Sequence, residues 1–316
     1  MTISKNHSIS EIQTVTIVGM GALGTLFGHI MAQHMPAENL RILADPDRIA
    51  RYRRDGVTSN GEPCDFHYVT TEDTVSPADL ILVAVKYGQL ADALETMRRH
   101  VGPNTLFLSL LNGIRSEGDI ADCYGRDKVV DCVAYGMDAV KESNRLTFGH
   151  AGKLCIGTSI SGPPTPQVQR IVRFFDQINF PYEVTETMGK VMWGKFMLNV
   201  GVNQTVAVFG PDYASIQHSG IPRDTTIAAM REVIKLSQYE GVNLTENDLA
   251  QWLHLLSTLN PKGKPSMRQD VEAQRPSEVG LFAGTVLALA QKHGLDMPVN
   301  RMLLKRVQEI EAGYPA

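Results

Sequence analysis

The sequence predicts an α/β protein in two parts: a doubly wound parallel sheet reaching to about residue 185, then an all-helical remainder over residues 186–316. Three observations predict it. Short β-branched runs alternate with helical spacing from residue 14 to about residue 182. Several of those runs are apolar at every position, and a strand apolar on both faces is one covered on both faces, as in a parallel sheet flanked by helices. After about Glu186 the runs give way to helical periodicity, broken at Gly210-Pro211, Pro222, Asn260-Pro261 and Gly294.

Residues 14–18 open the sheet, residues 40–43, 80–85, 106–110 and 129–133 continue it, and residues 154–157 and 182–185 read as later strands. A chain of 316 residues exceeds the size at which one core usually keeps growing, so two domains are expected, 1–185 and 186–316. The segment Ser161-Gly162-Pro163-Pro164-Thr165-Pro166 is a turn-rich loop, but a strand-like run follows it and carries the boundary to about 185.

Composition narrows the functional classes. With 43% hydrophobic and 20% charged residues the chain falls in the ordinary globular range. A net charge of -4 gives no clustered basic surface of the kind that nucleic acid or an anionic membrane would favour. Cys64, Cys123, Cys132 and Cys155 form no C-x-x-C pair, which argues against a zinc ribbon and a redox dithiol and fits a reducing cytoplasm. No metal is expected. The first residues lack the apolar core of a signal peptide, and no apolar run approaches the roughly 20 residues that span a bilayer.

The first strand leads into Gly19-Met20-Gly21-Ala22-Leu23-Gly24, after which helical spacing begins. At a strand-to-helix turn Gly19 permits the sharp reversal, Gly21 lets the backbone approach a pyrophosphate and Gly24 allows close helix packing, which together describe a dinucleotide site. A glycine-rich turn that binds nothing is the alternative. Asp45 lies 21 residues after Gly24, where a carboxylate accepts from ribose hydroxyls and repels a 2′-phosphate, favouring NAD(H). Followed by Pro46, it is equally a helix N-cap. Arg48 and Arg51 follow within two turns, in reach of a 2′-phosphate, so NADP(H) stays open; the Arg51-Tyr52-Arg53-Arg54 cluster otherwise reads as a solvated helix face. Lys86 and Asn112-Gly113 stand at the ends of two further strands, where ligands of a parallel sheet gather, although a solvated lysine and a simple turn are equally ordinary there.

In the helical half, Lys195, Asn199 and Asn203 recur every four residues and so share one helix face, among apolar neighbours such as Val191, Met192, Phe196 and Val200. Buried amine and amide groups are costly unless satisfied, which favours a lined pocket over a partly exposed polar stripe. Glu278 stands at the entrance of an apolar helix over residues 279–290, where a carboxylate also simply complements the helix dipole.

The G-x-G-A-L-G turn, Val85-Lys86, Asn112-Gly113, the W-x-K-x-x-x-N-x-x-x-N run from Trp193 to Asn203, and Ser266-Met267-Arg268-Gln269-Asp270 followed by Glu278 occur together, over residues 14–300, in the order of the ketopantoate reductase family, which the chain therefore resembles. The resemblance implies a Rossmann-type first domain and a helical second one, of the 6-phosphogluconate-dehydrogenase-like kind. It implies Lys195 as general acid and Glu278 as a second catalytic or cofactor-contacting group. Asn199, Asn203 and Ser266 become substrate ligands, and Asn112 touches both substrate and cofactor. The glycine turn, Met20, Ala22, Leu23, Asp45 and Lys86 line the cofactor, NADP(H) by resemblance, and the partners are a small 2-keto acid and a second copy of the chain in a homodimer.

Two departures bear on specificity. Family members commonly carry a basic residue where Asp45 stands, to grip the 2′-phosphate of NADP(H); and the asparagine expected about ten residues after Asn203 is replaced by Asp212-Tyr213. The expected activity is reduction of 2-dehydropantoate to (R)-pantoate. The alternatives are an NAD-dependent D-2-hydroxy-acid dehydrogenase acting on a branched or aromatic keto acid, which Asp45 favours, and a silent dinucleotide-binding sensor, which Lys195 and Glu278 disfavour.

Overall fold

The computed structural model describes residues 11–158 and 160–315. The chain divides into two compact units, the first running up to residue 111 and over 115–188, the second comprising 112–114 and the chain from residue 189 onward.

The first unit is built on β1 (Val15–Val18), α1 (Ala22–Ala32), β2 (Leu40–Leu43), α2 (Pro46–Asp55), the short β3 (Thr58–Ser59), β4 (Glu62–Pro63) and β5 (His67–Val69), and β6 (Ala78–Val83). It continues through α3 (Leu90–Thr96), β7 (Val101–Ser109), α4 (Ser116–Tyr124), β8 (Val129–Met137), β9 (Val140–Glu142), β10 (Arg145–Thr147), β11 (Ala151–Gly157), α5 (Pro166–Gln177) and β12 (Tyr182–Val184). The main sheet has the order β12-β11-β8-β7-β6-β1-β2-β5. Numbered along the chain, the strands from β5 to β8 give the 3-2-1-4-5-6 order of a dinucleotide-binding sheet, whose order reverses beside β1. Val15 pairs in parallel with Leu40 on one side and Leu80 on the other.

The expectation of strands buried on both faces is met in β6, where Leu80 and Leu82 enter one core cluster while Ile81 and Val83 enter the other. Period-2 geometry sends successive side chains to opposite faces, and both faces are apolar because helices cover both. The structure adds what short-range pattern does not carry. β11 pairs antiparallel with β8, as Leu154 opposite Ala134 shows. β7 starts at Val101, ahead of the expected residue 106, with a register break that takes Ala78↔Val101 to Leu80↔Leu106 and leaves Gly102, Pro103, Asn104 and Thr105 outside the ladder. A second, four-stranded sheet, β4-β3-β10-β9, is made of strands of two or three residues, too short for an alternation to register in sequence.

The second unit contains α6 (Met188–Phe209), α7 (Ala214–Gln217), α8 (Ile221–Tyr239), α9 (Glu246–Thr258), α10 (Ser266–Glu272), α11 (Thr285–Lys292) and α12 (Pro298–Glu311). α6 has 22 residues, about 33 Å at 1.5 Å per residue, and buries Met192, Trp193, Phe196, Met197, Val200, Val202 and Val206. A capping box starts α9: the Asp248 amide donates to Thr245 Oγ1 at 3.4 Å and the Thr245 amide to Asp248 Oδ2 at 2.8 Å. Lys190 on α6 pairs with Asp248 at 2.9 Å, which ties the two helix starts together. Among the described residues no helix is long and apolar enough to cross a membrane.

Candidate active site

The glycine turn follows β1 directly. Gly19 has φ +100, and a Cβ there would stand 2.7 Å from the Ala84 carbonyl group and the Val85 amide nitrogen; at Gly24 a Cβ would come within 2.0 Å of the Gly19 carbonyl oxygen. Both positions are closed to any side chain by backbone. A Cβ on Gly21 would meet only the Ala84 oxygen at 3.6 Å, so the backbone here is open on its outer side. Gly21 is the N-cap of α1 with no side-chain cap, and the first turn carries no acidic residue, so the leading amides and the positive helix end are left for an anion. A cavity of about 240 Å³ opens beside the turn, lined by Met20, Ala44, Asp45, Arg48, Tyr52 and Val85 among others. These features fit a dinucleotide cofactor.

Asp45 serves as N-cap and cavity wall at once: its Oδ1 accepts from the Arg48 amide at 2.8 Å, its Oδ2 pairs with Arg48 Nε at 3.0 Å, and Pro46 occupies the first helical position. Lys86 is exposed, on extended backbone ahead of the turn at Tyr87–Gln89, and its carbonyl accepts from the Gln89 amide at 2.8 Å.

The other predicted residues belong to the second unit. On α6, Lys195 is half-buried, and Asn199 and Asn203 are only 8% and 6% exposed. Gly194 explains how this stretch is held: a Cβ there would lie 3.0 Å from the Trp252 indole nitrogen, so the bare backbone lets α9 close on the turn that carries Lys195. Asn203 Nδ2 donates to Asn199 Oδ1 at 3.3 Å, while Asn203 Oδ1 accepts from the Ser266 hydroxyl at 3.1 Å and the Met267 amide at 3.3 Å. Asn199, Asn203 and Ser266 are thereby brought together, and Asn199 Nδ2 is buried with no hydrogen-bond partner among the described residues. An amide donor left over in such a place is a ready ligand for a carboxylate or carbonyl oxygen. Asn112 Nδ2 donates to Glu278 Oε2 at 3.4 Å, and the neighbouring Gly113, at φ +92, would press a Cβ to 3.0 Å from Leu281.

The apolar helix expected over residues 279–290 does not run regularly: Gly280–Gly284 is a π-helical segment. Gln204, fully buried on α6, enters its backbone ladder: its Oε1 accepts from the Ala283 amide at 3.0 Å while its Nε2 donates to Val200 O at 2.6 Å and Asn300 Oδ1 at 3.2 Å. A side chain inserted into the backbone ladder widens it by a residue. Gln204 was not singled out from the sequence, although an amide inside an otherwise apolar run was a signal. At the departure site, Tyr213 packs on Gly263, whose Cβ would lie 3.0 Å from the ring, and its amide donates to the Gly263 carbonyl at 2.9 Å; this supports the loop leading into Ser266.

The glycine turn and the 3-2-1-4-5-6 strand order make the first unit a dinucleotide-binding domain of the Rossmann type, followed by a helical second unit. Residues 15–159 match the family described as ketopantoate reductase PanE/ApbA, and residues 187–311 match its C-terminal counterpart, so the chain belongs to the ketopantoate reductase PanE/ApbA family. Similar proteins include a 2-dehydropantoate 2-reductase of Halobacterium salinarum, 24% identical with 93% of this chain and 97% of that one covered. Among solved structures, a PanE/ApbA family ketopantoate reductase from Ralstonia eutropha gives TM-score 0.81 at 22% identity, covering 95% of this chain and 98% of that one. D-mandelate dehydrogenase in complex with NADH gives TM-score 0.85 at 17% identity, covering 96% and 100%. Membership makes the chain an oxidoreductase acting on a keto or hydroxyl group.

Proposed function

We propose that the chain reduces 2-dehydropantoate to (R)-pantoate with a nicotinamide cofactor. The observation that carries this reading is the orphaned Nδ2 of Asn199, buried one helical turn from Lys195 on α6. The cofactor, when bound, supplies a hydride and is itself oxidised. As that hydride adds to the keto carbon, negative charge grows on the carbonyl oxygen; the Lys195 ammonium stabilises it and passes a proton to it, giving the hydroxyl. Asn199 Nδ2 donates to the substrate carboxylate, and Asn203 and Ser266 orient the Asn199 amide for that bond. Asn112 and Glu278 hold a shared position at the reacting end. Neutral amides suit this task, since they fix a carboxylate without adding a second charge beside the lysine.

A second reading, an NAD-dependent reductase of another branched or aromatic 2-keto acid, is favoured by Asp45 on the cavity wall. Steady-state rates with NADH and NADPH, on ketopantoate and on a panel of aromatic and branched 2-keto acids, separate the two. The first reading expects ketopantoate to have the highest kcat/KM, and a tenfold preference for an aromatic acid would replace it with the second.

A further inference from the structure

The Lys141 amine, on β9 of the small sheet, reaches across to the glycine turn. It donates to the Met20 carbonyl and, at 2.8 Å, to Thr25 Oγ1, and it stands 5.8 Å from the centroid of the Tyr52 ring. Met20 and Tyr52 both line the cavity beside Asp45. The Arg51 guanidinium lies 5.5 Å from the centroid of the same ring. Two cations therefore flank one cavity-wall aromatic.

The chemistry around the amine is one-sided. Among the described residues no carboxylate pairs with Lys141, and its hydrogen-bond partners are a carbonyl and a hydroxyl. Burial brings its pKa down to about 8, with the nearby Arg51 adding to the effect. Long charged side chains are rarely buried without a counter-ion, and a counter-ion missing from the protein points to an anionic ligand. The uncapped leading amides of α1 would take the diphosphate of a dinucleotide. Lys141 stands instead beside Met20 and Tyr52, toward α2, where the adenosine ribose of a dinucleotide on this fold lies. Asp45, which would repel a phosphate at that place, has both oxygens engaged by Arg48.

We infer that Lys141 is the cation that receives the adenosine 2′-phosphate, so that this chain accepts NADPH through a residue of the small sheet instead of a basic residue at the end of β2. The inference rests on the cofactor reading above and assigns its specificity. It involves no chemical step, only a charge-assisted hydrogen bond from Nζ to a phosphate oxygen.

Isothermal titration of the full chain with NADPH and with NADH, in wild type, Lys141→Met and Lys141→Arg, tests it without turnover. The expected result is a dissociation constant for NADPH raised roughly tenfold or more in Lys141→Met, that for NADH unchanged within about twofold, and NADPH binding largely restored in Lys141→Arg. Equal weakening of both nucleotides would assign Lys141 to support of the glycine turn and overturn the inference, as would no change in either. Failure of the wild type to bind either nucleotide would instead overturn the cofactor reading on which it rests.

Discussion

Nδ2 of Asn203 donates to Oδ1 of Asn199 at 3.3 Å, and this bond decides which end of the Asn199 amide is left over. Asn203 is itself oriented by the two donors that its own oxygen accepts, Ser266 Oγ and the Met267 amide. The order therefore runs from the start of α10 through Asn203 to Asn199, and ends in a buried donor without a partner among the described residues. Replacing Asn199 by Ala is expected to lower kcat/KM for the keto acid about 10- to 100-fold, the value of one hydrogen bond to a charged acceptor, with cofactor affinity unchanged. Stopped-flow binding and steady-state kinetics check it; a loss confined to cofactor affinity would remove Asn199 from the substrate side.

Lys195→Met keeps the length of the side chain and removes the proton. The expected loss in kcat is roughly 10²- to 10⁴-fold, with nucleotide affinity within about twofold of wild type. A solvent isotope effect on the residual rate should differ from that of the wild type, because another donor has taken over. Near-normal turnover would leave the proposed protonation without this residue.

Glu278 has two candidate duties. Its side chain accepts from Asn112, and its backbone carbonyl accepts from the Leu281 and Phe282 amides at 2.9 Å and 3.1 Å. If the carboxylate only complemented the helix end, Glu278→Ala would cost about 0.3–1 kcal/mol of stability and spare kcat. The site reading expects kcat to fall more than about tenfold with the unfolding transition nearly unmoved. Glu278→Gln, which still accepts from Asn112, separates loss of charge from loss of that contact.

Gln204 is the element of the second unit that its sequence hid best. The spacing of Lys195, Asn199 and Asn203 was legible because a four-residue repeat is a local property of a helix, and the glycine turn was legible because backbone proximity excludes side chains at Gly19 and Gly24. Gln204 acts on residues 79 and 96 positions away, at Ala283 and Asn300, and no periodicity carries such a partner. Lys141 was hidden for the same reason: its strand has three residues and its target lies at Met20 and Thr25. The same limit hid the antiparallel pairing of β11 with β8, since pairing direction is set by the chain's path and not by the strand's composition. Substitution Gln204→Leu conserves shape but strands the Ala283 amide, so a loss of about 1–3 kcal/mol is expected in urea unfolding, together with faster amide exchange over residues 280–284. Unaltered exchange there would mean that the π segment holds its form without the glutamine.

The carboxyl of Glu117, at the start of α4, provides a pH test of the first unit. It is buried, accepts from the Ser116 hydroxyl at 3.1 Å and is pushed up to about 8, mainly by loss of solvent and further by the nearby Asp131. In the unfolded chain the same group titrates near 4.5, so between these two values the native state holds a proton that the unfolded state has released. Where the unfolded state binds fewer protons, stability falls as pH rises. The contribution of Glu117 is therefore full below about pH 4.5 and is lost progressively up to about pH 8. Glu117→Gln keeps a neutral hydrogen-bonding group and cannot titrate. It is expected to be close to wild type in stability at pH 5 and clearly more stable at pH 8, as read from urea midpoints in matched buffers; parallel pH profiles for the two proteins would show that Glu117 is ionised in the native state.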